Sequence, residues 1–143
     1  AISVEQVFDP IHGDALNMPF SDATFDVIFC AYGARNFDDV SKGITEMHRV
    51  LKPGGQLFIL EFFKPTSLLN IFFNKTYGEY VLPRIGKWIS GHQGAYTYLR
   101  DSIRGFLTTN EFNRLLETHG FNSIQNKNFF LSISTCVSAV KTS

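Results

Sequence analysis

The sequence predicts an α/β domain with a mostly parallel sheet that ends in an antiparallel hairpin. Three observations lead there. Residues 25–32 (F-D-V-I-F-C-A-Y) and 56–63 (Q-L-F-I-L-E-F-F) are nearly unbroken apolar runs, as expected of strands covered on both faces of a parallel sheet. Between them the apolar residues Val40, Ile44, Met47 and Leu51 recur every three or four positions, which is one face of a helix. Strand, helix and strand within forty residues make a βαβ unit, whose crossover is right-handed. The third observation is the tail, where Leu131, Ile133, Thr135, Val137 and Ala139 alternate with polar or small residues, a strand period.

Each element carries its own boundary chemistry. Val4, Val7 and Phe8 suggest a strand cut short by Pro10, and Pro19 with Ser21-Asp22 marks a loop over 16–24. Asp38 is placed to cap the following helix, with Lys52 in its last turn. Pro53-Gly54-Gly55 stops it, because proline lacks a donor and glycine tolerates positive φ. Residues 68–89 read as short helices outside the sheet, and 96–106 as another helix. Thr108 and Glu111 have capping-box spacing, Phe112, Leu115 and Leu116 share a face, and Gly120 closes that helix. Residues 121–130 supply the other arm of the hairpin.

Composition excludes several functions. Thirteen basic residues balance thirteen acidic ones in a chain of 143, which leaves no electrostatic case for nucleic acid. The two cysteines, Cys30 and Cys136, form neither a disulfide framework nor a Cys-x-x-Cys site, so a reducing compartment is expected. The four histidines (His12, His48, His92, His119) lack ligand spacing, and no metal is expected. No apolar run approaches a membrane span, no signal peptide is expected, and no phosphate-binding glycine motif or nucleophile elbow is present in residues 1–143. Phenylalanine occurs 15 times, either as a Phe-rich core or as the lining of a pocket for a large apolar ligand.

Ligands of open α/β sheets sit beyond the carboxyl ends of the strands. That rule selects Gly13-Asp14-Ala15, residues 31–36, and Glu61 with the residues just after it. Arg35 offers fixed donors and a permanent charge to an oxyanion, and Asn36 offers both a donor and an acceptor. The plainer alternatives are a surface ion-pair partner and a turn former. Asp14 either accepts from a ligand's amine or hydroxyl or caps backbone amides in a turn.

The string R-V-L-K-P-G-G-Q-L-F-I-L-E (49–61) resembles a signature of the UbiE/MenG quinone C-methyltransferases. K-P-G-G before an apolar strand alone marks only the class I methyltransferase superfamily. Four co-linear matches narrow it: G-D-A-L-N-M-P-F-S-D-A-T-F-D (13–26), Y-G-A-R-N (32–36), V-L-P-R-I-G (81–86) and Y-T-Y-L-R-D-S-I (96–103). With G-F-x-x-I from Gly120, the resemblance runs from about residue 11 almost to the end.

The resemblance implies a Rossmann-like class I sheet with S-adenosylmethionine as methyl donor and a prenylated quinol, on the menaquinone or ubiquinone route, as acceptor. It implies that Arg35 and Asn36 are catalytic, engaging the quinol oxygen. It places Asp14 and Ala15 on the adenine side, Ala31, Tyr32 and Gly33 beside the methionine portion, and Tyr96 and Tyr98 along the ring pocket. Residues 62–73 would face a prenyl tail or the bilayer surface, making the protein cytoplasmic and peripheral at the inner membrane, or resident in an organelle matrix. Oligomeric state stays open, a homo-oligomer included. Phe63 stands where the signature usually has a small residue, and Ala31 where serine is frequent. The family's Gly-rich loop and the acidic residue ending its second strand have no counterpart in 1–143. The chain is therefore expected to be the C-terminal part of a single class I domain, inactive alone, with an apolar strand edge at Phe25. Two alternatives are another small-molecule methyltransferase on the same fold and a non-catalytic scaffold subunit of a quinone-synthesis assembly.

Overall fold

β1 (Phe25–Ala31) runs parallel to β2 (Leu51–Glu61), and α1 (Val40–Val50) joins them. This is the βαβ unit, seen in a computed structural model that describes residues 9–66, 93–129 and 134–142, without the side chains of 93–96. The expected strand before Pro10 and the short helices over 68–89 lie outside the described residues, apart from Asp9 and Pro10.

α1 begins one residue later than the spacing suggests. Asp39, not Asp38, is the cap: its backbone is extended (φ −138) and its carboxylate accepts the Lys42 N–H at 3.0 Å. Ile44, Met47 and Val50 face inward. The helix then turns directly into β2, because fully buried Leu51 extends and pairs with Phe25. Lys52 is thus in the strand, not in a last helical turn, and its ammonium reaches the Asp26 carboxylate at 2.8 and 2.9 Å. Residues 52–55 bulge from β2 opposite Asp26, with Gly54 at φ +74.

α2 (Gln93–Gly105) and α3 (Thr109–Thr118) come next. The Thr108–Glu111 capping box is complete, with each partner accepting from the other's backbone amide. β3 (Phe121–Phe129) and β4 (Ser134–Lys141) form the antiparallel hairpin, and β4 inserts beside β2 to give the order β1-β2-β4-β3.

Residue alternation sends Leu57, Ile59, Val137 and Ala139 to one face, where they meet Ile44, Met47, Phe112 and Leu116 in one core. α1 and α3 bury their apolar sides in that cluster, whereas α2 places no described residue in it. The opposite face of β1 is open: Val27 is 53% and Phe29 62% exposed. Cover on both faces, the expectation from the apolar run, is met on one face among the described residues.

Long-range polar contacts lock the helices to the sheet. Lys141 donates to the carbonyls of His48 and Leu51 at 2.7 Å each, a cation where the α1 carbonyls end. His119 donates from Nδ1 to the Leu115 carbonyl at 2.7 Å and accepts the Ser41 hydroxyl at Nε2 at 2.9 Å, tying α3 to α1. Gly120 sits at φ +82, and a Cβ there would lie 2.9 Å from His48 Nε2. Gly120→Ala is expected to lower unfolding stability by about 1–2 kcal/mol, the cost of a left-handed alanine. Urea titration reads it, and unchanged stability would show that the turn relaxes.

Arg49 pins the 16–24 loop. Its Nη1 donates to the Phe20 carbonyl (2.8 Å) and Asp22 (2.7 Å), and its Nη2 to the Met18 carbonyl (3.1 Å) and Glu46 (2.8 Å). Glu46 also accepts the Met18 N–H at 2.8 Å. The Arg49 guanidinium, then this amide, holds the Glu46 carboxyl down at about 2, from an ordinary 4.5. A carboxylate depressed on folding stabilises above its unfolded value and ceases to do so as pH falls through the folded one. Acidification from pH 4.5 to about 2 should therefore cost the wild type stability that Glu46→Gln does not lose. Urea midpoints of the two proteins at those pH values decide it; parallel losses would show that Glu46 contributes nothing.

Candidate active site

Parallel register builds the site. Ala31 pairs with Leu60, and the Tyr32 N–H still bonds the Leu60 carbonyl at 2.8 Å, so the carboxyl ends of β1 and β2 lie level. Tyr32 then takes φ +54, a left-handed conformation that turns the chain sharply. A short 3-10 turn, Ala34–Asn36, with Ala34 buried beneath it, brings residue 35 back over the end of β2.

There Arg35 meets Glu61. The carboxylate is fully buried and the guanidinium side chain only 9% exposed. Glu61 Oε1 accepts from Arg35 Nη1 and, at 2.7 Å, from the Phe62 N–H; Oε2 accepts the Arg35 backbone N–H at 3.3 Å. Arg35 Nη1 also donates to the Tyr32 carbonyl at 3.1 Å, and Nε to the Ser102 hydroxyl of α2 at 3.3 Å. Among the described residues, Nη2 has no hydrogen-bond partner. The guanidinium carbon lies 5.5 Å above the Phe62 ring, which stacks on Tyr32 at 4.6 Å. Next to it, Asn36 Nδ2 donates to the same Tyr32 carbonyl at 3.3 Å, and the Tyr98 hydroxyl donates to Asn36 Oδ1 at 2.7 Å.

Four residues singled out from the sequence therefore form one network: Tyr32, Arg35, Asn36 and Tyr98. Gly33 is the residue that starts the turn, and Ala31 is exposed at the strand end. Tyr96 lies on α2, with its side chain outside the described residues. Asp14 and Ala15 stand apart. Asp14 is exposed and its carboxylate accepts the Leu16 N–H at 2.9 Å, the turn-capping role; no hydrogen bond among the described residues joins it to the Arg35 network.

Two side chains of the network carry no role assigned from the sequence, although the sequence singles out the strand end at Glu61. Glu61 is visible there as the lone carboxylate in an apolar strand, and Ser102 as the residue one helical turn from Tyr98. Phe62, expected to face a tail or bilayer, is half-buried, its ring against Tyr32 and Arg35. Phe63 is buried against Phe106 (5.6 Å) and Phe112 (5.2 Å); residues 67–73 lie outside the described residues. A cleft of about 140 Å³ is lined by Phe63, Lys64, Pro65, Thr66, Thr109, Asn128 and Thr135 and contains neither Arg35 nor Asn36. Cys30, beneath the turn, has its thiol pushed up by burial, which keeps it protonated and unreactive. No group of three metal-ligating side chains occurs among the described residues.

Chemically, the buried ion pair supplies directed N–H donors rather than net charge, because Glu61 cancels the guanidinium's formal charge. The cofactor-side residues offer a fit in kind. A carboxylate has about four acceptor sites, so exposed Asp14 keeps capacity for an amino or hydroxyl group beyond the Leu16 amide.

The model of the ubiE/COQ5 methyltransferase family matches residues 3–141. The chain belongs to that family. It is 46% identical over 111 residues to a demethylmenaquinone methyltransferase of Deinococcus radiodurans, covering 78% of this chain and 46% of that protein. It is 36% identical over 144 residues to the ubiquinone/menaquinone biosynthesis C-methyltransferase UbiE of a Ruegeria species, covering 99% of this chain and 56% of that one. The chain thus spans about half the length of these curated relatives. A SAM-dependent methyltransferase from Thermotoga maritima shares the fold, with TM-score 0.62 at 20% identity over 91% of this chain and 62% of that one. This family member accordingly has the α/β fold of class I methyltransferases, and the 4-stranded sheet of the described residues covers part of it. Among the described residues no helix is long and apolar enough to cross a membrane.

Proposed function

We propose that this chain carries the acceptor side of an S-adenosylmethionine-dependent C-methyltransferase acting on a prenylated quinol. The observation that carries this reading is the 46% identity over 111 residues to a demethylmenaquinone methyltransferase. The chain belongs to the C-terminal part of a class I domain, works at the cytoplasmic or matrix side of a membrane, and meets its lipid-tailed substrate there. When bound, S-adenosylmethionine supplies an electrophilic methyl group; Asp14, Ala15 and the strand end at Ala31, Tyr32 and Gly33 would hold it.

The chain's own residues prepare the acceptor. A ring carbon attacks well only when the neighbouring ring oxygen is ionised or strongly hydrogen-bonded. Arg35 Nη2 is the donor left for that oxygen, and donation to the oxyanion favours the reactive form. Asn36 is neutral, and its amide is held by Tyr98 and the Tyr32 carbonyl, so it orients the acceptor and does not remove its proton. Tyr98 and Tyr96 border the ring, which fixes the attacking carbon in position and replaces a bimolecular search with a held geometry.

The test is transfer of labelled methyl from S-adenosylmethionine by the full-length protein to demethylmenaquinol and to a demethylated polyprenyl benzoquinol. Product on either is the expected result. Transfer only to soluble, tail-less acceptors would move the activity to another small-molecule methyltransferase, and no transfer to any acceptor would favour a scaffold role.

A further inference from the structure

The geometry points to Glu61 as a positioning residue: its buried carboxylate holds the Arg35 guanidinium in a single orientation that leaves Nη2 without a hydrogen-bond partner among the described residues. This rests on the reading of Arg35 as the donor to the acceptor oxygen. A carboxylate buried in an apolar strand is costly unless its acceptor sites are filled. Glu61 fills them in one direction only. It takes Nη1 and the backbone N–H of the same arginine, and then the amide of its own successor Phe62. Among the described residues, the ion pair of Glu61 is with Arg35 alone.

The rest of the arginine is held by groups that cannot substitute for it. The Tyr32 carbonyl takes a second bond from Nη1, Ser102 takes Nε, and the Phe62 ring lies under the guanidinium plane. With Nε and Nη1 both bonded, the plane of the guanidinium is fixed by these contacts and Nη2 is the nitrogen left over. Ser102 is itself tied, its hydroxyl donating to the Leu99 carbonyl at 2.9 Å, which fixes the oxygen that Nε meets. An unheld arginine would swing through many rotamers. Glu61 removes that freedom before the substrate arrives, as supporting residues do for a preorganised donor.

Two readouts test this. Glu61→Gln keeps size and one carbonyl acceptor but loses the charge that grips the guanidinium. In the full-length protein its methyl-transfer kcat is expected to fall about 10- to 100-fold, the usual scale for a supporting partner, with the KM for S-adenosylmethionine unchanged within about twofold. Because Glu61 acts through Arg35, the double variant Arg35→Ala/Glu61→Gln should be no slower than Arg35→Ala alone. Losses that multiply would overturn the inference. The second readout needs no activity: the Arg35 Nε–H proton should exchange slowly in the wild type and rapidly in Glu61→Gln, with Glu61→Asp between. Equal exchange in all three proteins would also overturn it. A wild type that transfers no methyl to quinols while its Arg35 proton is slow and becomes fast in Glu61→Gln would sink the proposed function and leave the positioning intact.

Discussion

Replacing Arg35 with alanine is expected to cost about 3–5 kcal/mol of folding stability, the scale for leaving one half of a buried ion pair behind. The reason is Glu61: it is fully buried, and without Arg35 its side chain keeps only the two backbone amides, Phe62 and residue 35. The loss should therefore fall toward the lower end of that range. Removing both charges has a different outcome. Arg35→Met/Glu61→Leu leaves no unpaired charge, and similar exchanges elsewhere are close to neutral, so most of the stability should return. Methyl transfer should not return, since no donor remains for the acceptor oxygen. Urea unfolding and turnover, measured on all three proteins, separate the two roles. Wild-type stability in Arg35→Ala would mean the pair is absent in solution, and wild-type turnover in the double variant would remove Arg35 from the chemistry.

That the site has two roles folded into one arginine explains how much of it is legible in the sequence. The two strands of the βαβ unit, α1, the capping box and the hairpin each arise from patterns local in the sequence, and each formed. Boundaries shifted where a non-local contact outweighed a local one: Lys52 left the helix because Leu51 pairs with Phe25, across the sheet. Arg35 and Asn36 stand out because polar residues directly after an apolar strand serve neither strand nor helix. The pairing with their partners does not, since Glu61 is 26 and Ser102 67 positions away, and only the parallel register and the docking of α2 bring them there. The same limit applies to the open sheet face. An apolar run reports that a strand expects cover; which segment supplies it is a property of the whole chain.

The largest effect away from the ion pair is expected at Phe112. It is fully buried on α3, and its ring meets Phe63 at 5.2 Å and Phe106 at 6.2 Å, while those two meet each other at 5.6 Å. Phe112→Ala should lose about 3–5 kcal/mol, the transfer term of an aromatic ring plus the cavity left behind. The exposed Lys52–Asp26 bridge is the contrast: Lys52→Ala should cost less than about 1 kcal/mol, because water and salt screen such pairs. Position gives the Phe112 prediction a functional side. Phe63 comes two residues after Glu61 at the end of β2, and Phe106 follows α2, which carries Ser102, so this aromatic cluster joins the segments next to the two partners of Arg35. A hole there should loosen the Arg35 Nε–H as well as the fold, raising its exchange rate under conditions where the variant is still folded. If Phe112→Ala unfolds more easily yet leaves that proton as slow as in the wild type, α2 and β2 are held together by contacts other than the three rings.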